Sequence, residues 1–246
     1  MLFRSHDLHE PGISGFAGTF RNWIDWMNKE KNNANTDISN AVIRRLPRYR
    51  RYLRDLRRNG VDKISSRELS ELTGYTASQI RQDFNKFGGF GQQGYGYNVN
   101  SLYGEISSIL GLDKEYSVIL IGAGNLGHAI ANYTSNYKPG FKVIGIFDVN
   151  PHLIGEHMNG VEIQDCSGLG NFLKKNQVDI AFICTNKESA QGVADELCRA
   201  NVRGIWNFAP IDLEVPDSVA LENAHLSDSL HVLVFNMNSE YNADKK

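Results

Sequence analysis

The sequence predicts an α/β protein in two parts, a winged helix followed by a doubly wound parallel sheet, with one further helix at the end. Three observations predict it. Charge is split along the chain, two helix-capping signatures bracket a glycine turn, and a strand runs straight into G-x-G-x-x-G and a second helix.

Taken whole, 246 residues with a net charge of −2 argue against a nucleic-acid binder, whose domain should be basic. Resolved along the chain, residues 1–36 are neutral, residues 37–100 carry 12 Lys/Arg against 6 Asp/Glu, and residues 101–246 carry 10 against 18. Such asymmetry implies two modules with different partners, one of them polyanionic. Hydrophobic content of 41% excludes a mostly disordered chain. No apolar run approaches the roughly 20 residues that cross a bilayer. Gly12–Phe20 is too glycine-rich for a signal peptide. The three cysteines, Cys166, Cys184 and Cys198, form no C-x-x-C pair and fit a reducing cytoplasm.

Residues 1–36 show no sustained period and read as a disordered or non-native arm. Met27 opens a polar lead-in, so translation in the cell is expected to start there. An intact mass that includes Met1 would exclude this.

Residues 37–100 form the predicted winged helix. Ile38, Val42, Leu46, Tyr49, Leu53 and Leu56 mark one face of a helix, and eight arginines occupy the others. Of these, Arg44, Arg48 and Arg51 are expected to meet DNA. Pro47 should kink this helix or open its second part. Ser65 with Glu68, and Thr76 with Gln79, have capping-box spacing. They predict helices from Ser66 to about Leu72 and from Ala77 to about Phe87, joined by Thr73-Gly74-Tyr75. Helix, tight turn, helix is the helix-turn-helix arrangement. The second helix should bury Ile80, Phe84 and Phe87 and expose Ser78, Gln79, Arg81, Gln82, Asn85 and Lys86 to the major groove. The glycine-rich segment that follows, with Tyr95, Tyr97 and Val99 alternating, predicts a hairpin wing. Gln92 and Gln93 lie near its tip, suited to a minor groove.

Residues 101–225 form the predicted dinucleotide domain. After a connecting helix ended by Gly111, Ser117–Ile121 reads as a buried parallel strand. Gly122-Ala123-Gly124-Asn125-Leu126-Gly127 follows, then a helix over Ala129–Tyr137, then a strand Lys142–Phe147 ending on Asp148. A bare G-x-G-x-x-G is weak. Here it lies between strand and helix and is answered by an acid at Rossmann distance. Gly122 permits the sharp turn, Gly124 the approach of backbone amides to a pyrophosphate, and Gly127 close helix packing. The helix N-terminus then stabilises the phosphates. Asp148 should accept the adenosine ribose hydroxyls and repel a 2′-phosphate, which favours NAD(H) over NADP(H).

Strands at Val161–Ile163, Val178–Cys184 and Gly204–Phe208 alternate with helices Leu169–Lys175 and Ser189–Ala200, completing a doubly wound domain. Residues 226–246 hold a last helix, Ser227 to about Met237, with apolar residues on two sides. Such a helix is buried between two bodies, and a partner subunit is the expected second one. No acid/base constellation or metal-ligand cluster stands out; Cys184 and Lys187 are candidates for the nicotinamide end, though a cysteine at a strand end usually serves packing.

With these residues in place, the sequence resembles the redox-sensing transcriptional repressors of the Rex family from about Ile38 to Met237. The matching stretches are AVIRRLPRYRRYL (41–53), TASQIRQDFNKFGGFGQQGYGYNV (76–99), ILIGAGNLG (119–127), FDVNP (147–151) and IWNFAP (205–210). The resemblance implies a homodimer with winged-helix heads, Rossmann bodies and exchanged C-terminal helices. NADH and NAD+ would compete for the body, and NADH would release the dimer from operator DNA. Genes of anaerobic or alternative respiration and fermentation would thereby be derepressed. By position, Tyr133 matches the family tyrosine near the nicotinamide and the domain junction, and Arg51 is placed at that junction too. Thr185 falls among the cofactor-binding residues, where the family pattern leads one to expect an apolar residue and a proline; this chain has Thr185-Asn186-Lys187. Two other readings stand beside this one: an NAD-dependent oxidoreductase with an accessory basic domain, and a nucleotide-binding module related to CoA-binding domains.

Overall fold

A computed structural model of the protein describes residues 39–87, 96–137 and 140–243. The expected N-terminal arm and the hairpin tip with Gln92 and Gln93 lie outside the described residues. The chain divides into two compact units, Met1–Leu110 and Gly111–Lys246.

In the first unit, helix α1 (Asn40–Arg58) buries Val42, Leu46, Tyr49 and Leu53 and leaves its arginines on other faces. It runs through Pro47 without starting a second helix there. Pro47 and Ile43, four residues back, are both exposed, so water can satisfy the carbonyl that the proline leaves unpaired. A two-residue strand β1 (Lys63–Ile64) leads to α2 (Ser66–Thr73), which begins on a complete capping box between Ser65 and Glu68. Gly74 closes α2 in the left-handed region at φ +73°. Helix α3 (Ala77–Asn85) follows, capped by the Thr76 hydroxyl, which accepts from the Gln79 amide at 3.1 Å. The second capping box is only half made. The Gln79 side chain instead donates to Asp83, at 2.9 Å.

The segment after the glycine-rich stretch differs from expectation. Strand β2 (Tyr97–Asn98) pairs antiparallel with β1, and Val99 opens helix α4 (Val99–Ile109) instead of extending a wing strand. Val99 is fully buried with Leu102 and Ile106 in the same core as Leu46, Tyr49, Leu53, Ile80 and Phe84. The compositional break at residue 100 therefore falls inside α4, which packs as a core helix of the first unit.

The second unit is a seven-stranded sheet: β3 (Tyr116–Ile121), β4 (Phe141–Asp148), β5 (His157–Met158), β6 (Val161–Asp165), β7 (Ile180–Ile183), β8 (Gly204–Asn207) and β9 (Ala220–Asn223). Its order is β5-β6-β4-β3-β7-β8-β9, parallel throughout except for the β5–β6 pair. Strand residues alternate between two cores, as a period of two requires. Val118, Leu120 and Ile146 meet Ala131 of α5 (Asn125–Tyr137). Ile119, Ile121 and Phe147 meet Leu169 of α6 (Leu169–Lys175) and Ala190, Ala194 and Leu197 of α7 (Lys187–Arg199). The chain reverses its winding between β3 and β7, and ligands of open α/β sheets bind at such switch points.

Helix α8 (Leu226–Ala243) extends beyond its expected end. Leu230, Val232, Leu233, Val234, Phe235 and Met237 are all exposed. Its root is held by His225, whose Nε2 lies 2.8 Å from Asp212 Oδ1. Among the described residues no helix is long and apolar enough to cross a membrane.

Candidate functional site

The glycine loop has the geometry its sequence demands. Gly122 leaves β3 at φ +98°, and a Cβ there would stand 2.5 Å from the Cys184 carbonyl oxygen and 3.0 Å from the Thr185 nitrogen. Its N–H donates to the Phe147 carbonyl at 2.8 Å. A Cβ on Gly127 would run into the Gly122 carbonyl oxygen. A Cβ on Gly124 would meet nothing within 4 Å. Two glycines thus let β3, β7 and α5 approach, and the middle one faces open space. Gly124 and Asn125 are exposed, Leu126 is half-buried and Ala123 is buried. The first amides of α5 have no intrahelical acceptors and suit an anion.

Asp148 does more than its spacing suggested. It is nearly buried, and its Oδ2 accepts the Ala123 N–H at 2.6 Å while Oδ1 accepts the Asn150 N–H at 2.8 Å. The carboxylate braces the glycine loop against the end of β4. Each oxygen keeps a second lone pair for a further donor. Thr185 lies against Gly122 across the switch point. Tyr133 is exposed on α5, about 12 Å along the helix axis from Asn125. Burial pushes the Cys184 thiol up to about 12, so this neighbour of the loop is no thiolate nucleophile near neutral pH.

The first unit presents a cationic surface sorted by helical face. Arg44, Arg48 and Arg51, at i, i+4 and i+7, are exposed together on α1. Arg50 and Arg57 turn elsewhere. Arg50 donates to Ser107 Oγ at 2.8 Å and to the Tyr103 hydroxyl at 2.7 Å, Arg57 donates to Asn100 at 2.9 Å, and both guanidinium groups lie over the Tyr103 ring. On α3, Ser78, Arg81, Gln82 and Asn85 are exposed, as is Lys86 just after it, and Arg81 donates to Ser66 Oγ at 3.0 Å.

The sequence reading missed the pair that fixes α3. Asp83 is 1% exposed and accepts from Arg45 Nε at 2.6 Å, Arg45 Nη2 at 2.7 Å, the Tyr49 hydroxyl at 2.7 Å and Gln79 Nε2 at 2.9 Å. The signal was present. Asp83 stands three residues after Ile80, on the face the apolar pattern assigns to the core, and a carboxylate there requires partners. Gln79, expected to read bases, spends a donor on this network and is half-buried.

Comparison with known proteins matches both units of the chain. Residues 37–85 match the family model described as a putative DNA-binding protein N-terminus, and residues 113–211 match that of a CoA binding domain. A redox-sensing transcriptional repressor Rex from Thermoanaerobacter pseudethanolicus is 60% identical over 205 residues, 83% of this chain and 92% of that protein. Two crystal structures of the repressor RSP are also similar. One, with β-NADH, has 55% identity and a TM-score of 0.79, covering 86% of this chain and 99% of RSP. The other, with β-NAD+ and operator DNA, has 58% identity and a TM-score of 0.78, covering 86% and 97%. The curated relative is named for repression and for no enzymatic activity. Helix-turn-helix and Rossmann unit recur in one order over nearly the whole of these relatives, and the chain belongs to the Rex family of redox-sensing transcriptional repressors.

Proposed function

We propose that the chain represses transcription as a homodimer that binds operator DNA with its first unit and NADH or NAD+ with its second, and that NADH releases it. The observation that carries this is the Gly122–Gly127 loop, braced by Asp148, on a chain that also carries a helix-turn-helix. Gly122–Gly127 and the first turn of α5 hold the pyrophosphate, Asp148 accepts the adenosine ribose hydroxyls, and Thr185 and Tyr133 line the nicotinamide end. Arg44, Arg48 and Arg51 hold phosphates, while Ser78, Gln79, Arg81, Gln82, Asn85 and Lys86 meet the major groove and Gln92 and Gln93 the minor. The RSP structures with NADH, and with NAD+ and operator DNA, support both halves of this reading.

NADH and NAD+ differ at the nicotinamide by one charge and by ring planarity. A ligand shifts two states only by its differential affinity for them. The dimer's two heads must match half-sites one turn of DNA apart, about 34 Å, or a multiple. A small rotation of the heads therefore removes most of the affinity. The protein works in the cytoplasm and controls genes of anaerobic or alternative respiration and fermentation. Fluorescence anisotropy on operator DNA during titration with each nucleotide tests this. Release by NADH and retention with NAD+ are expected, and indifference to both overturns it.

The apolar surface of α8 supports exchange of this helix between subunits, because seven large apolar side chains exposed on one helix, Leu226 among them, have no place in a monomer. A chain ending before Ser227 is expected to sediment as a monomer. A dimer of that truncated chain would remove α8 from the interface.

A further inference from the structure

We propose that Tyr75, in the turn between α2 and α3, is a positioning residue for DNA binding: its ring holds the Arg48 guanidinium beside the turn, with the hydrogen-bonding edge open to a backbone phosphate. The proposal rests on the reading of the first unit as the DNA-binding head.

Tyr75 is anchored from behind. Its backbone N–H donates to Thr73 Oγ1 at 3.4 Å. Its ring meets the buried Tyr49 ring edge-on, with centroids 5.5 Å apart at 73°. Tyr49 is in turn hydrogen-bonded to Asp83. The ring is therefore tied to the network that holds α1 to α3.

The two arginines near this ring are used differently. Arg45 lies 5.9 Å from the centroid but spends Nε and Nη2 on Asp83. Arg48 lies closer, at 5.1 Å, and is exposed. Among the described residues no carboxylate pairs with it. Its Nη2 would stand 3.8 Å from a Cβ on Gly74, which places the guanidinium against the turn itself. A carboxylate orients an arginine by occupying its donors. An aromatic face orients it through the π cloud and leaves the planar fork available. An arginine so held loses less freedom when a phosphate arrives, and phosphate is the planar-fork acceptor a DNA backbone supplies.

The test uses the full-length protein and a mixed-sequence DNA duplex, because a phosphate contact is independent of sequence. Affinity is measured by anisotropy across a salt series for Tyr75→Leu, Tyr75→Phe, Arg48→Ala and the Tyr75→Leu/Arg48→Ala pair. Tyr75→Leu is expected to weaken binding about three- to fivefold without any change of charge. Tyr75→Phe keeps the ring and stays within about 1.5-fold. Arg48→Ala lowers the slope of log affinity against log salt by about 0.9. On the Arg48→Ala background, Tyr75→Leu adds less than about 1.5-fold. Equal effects of Tyr75→Leu on both backgrounds, in a wild type that binds, overturn the positioning role alone. A wild-type protein that binds no duplex at any salt overturns the DNA-binding reading and this proposal with it. A second measurement needs no DNA. The Arg48 Nε–H resonance of the free protein should shift on Tyr75→Leu and not on Tyr75→Phe, as ring-current loss requires; an unmoved resonance in Tyr75→Leu overturns the contact.

Discussion

Gly127→Ala should damage the fold and Gly124→Ala only the ligand. Gly127 packs α5 against the turn after β3 so closely that a methyl group meets the Gly122 carbonyl oxygen. That oxygen belongs to the backbone, so relief requires α5 to move as a body. Overpacking of this kind costs about 3 kcal/mol, or roughly 6–12 °C in Tm for a chain of this size. The displaced helix no longer aims its first amides at the pyrophosphate, so NADH binding is lost as well. Gly124 has the opposite surroundings, with nothing within 4 Å of a Cβ and no positive φ. Gly124→Ala therefore keeps the wild-type Tm without ligand but puts a methyl group where the phosphates approach. It should lose the rise in Tm that NADH gives the wild type. Scanning fluorimetry of the three proteins with and without NADH separates these outcomes. A Gly127→Ala chain with unchanged Tm, or a Gly124→Ala chain fully stabilised by NADH, contradicts the roles assigned here.

Gly122, Gly127 and Asp148 were legible in the sequence because their chemistry is local. A turn with positive φ, a helix packed on its own preceding strand, and an acid one βα unit later are all fixed by spacing. Helices α2 and α3 were legible from their caps for the same reason. Strands β1, β5 and β9 were not. They are two to four residues long, and β9 (ALEN) offers no apolar run, so their pairing is decided by tertiary neighbours. Val99 illustrates the competition between patterns. Alternation with Tyr95 and Tyr97 suggested a strand, while Asn98, whose side chain accepts from the Ser101 amide at 2.9 Å, caps a helix that begins on Val99. The arginines show a further limit. Counting them gave the sign of the surface but not its division between Arg44, Arg48 and Arg51, exposed together on α1, and Arg45, Arg50 and Arg57, whose guanidinium groups hydrogen-bond to Asp83, Ser107, Tyr103 and Asn100. That division depends on where Asp83, Tyr103 and Ser107 come to lie.

Asp83 is the residue whose loss should cost the first unit most. Burial alone would raise its pKa, but hydrogen bonds from Arg45, Tyr49 and Gln79 outweigh burial and hold it below the usual carboxylate range. Removing one partner of a buried ion pair costs about 3–5 kcal/mol, because the other charge stays behind. Asp83→Ala leaves Arg45 and the Tyr49 hydroxyl without their shared acceptor, so thermal unfolding of this unit should fall by that amount while NADH affinity of the other unit is unchanged. The pH dependence has a fixed sign. A carboxylate whose native pKa lies below its unfolded value, about 3.9, contributes its full stability above that value and loses it as pH falls through the native pKa. The stability gap between wild type and Asp83→Asn should therefore be constant near neutral pH and shrink below about pH 4. Circular dichroism melts of both proteins over that range measure it. A gap that persists unchanged in acid would mean that Asp83 acts by shape and hydrogen bonding alone. A gap that closes would identify its charge, held between α1 and α3, as what keeps α3 in place.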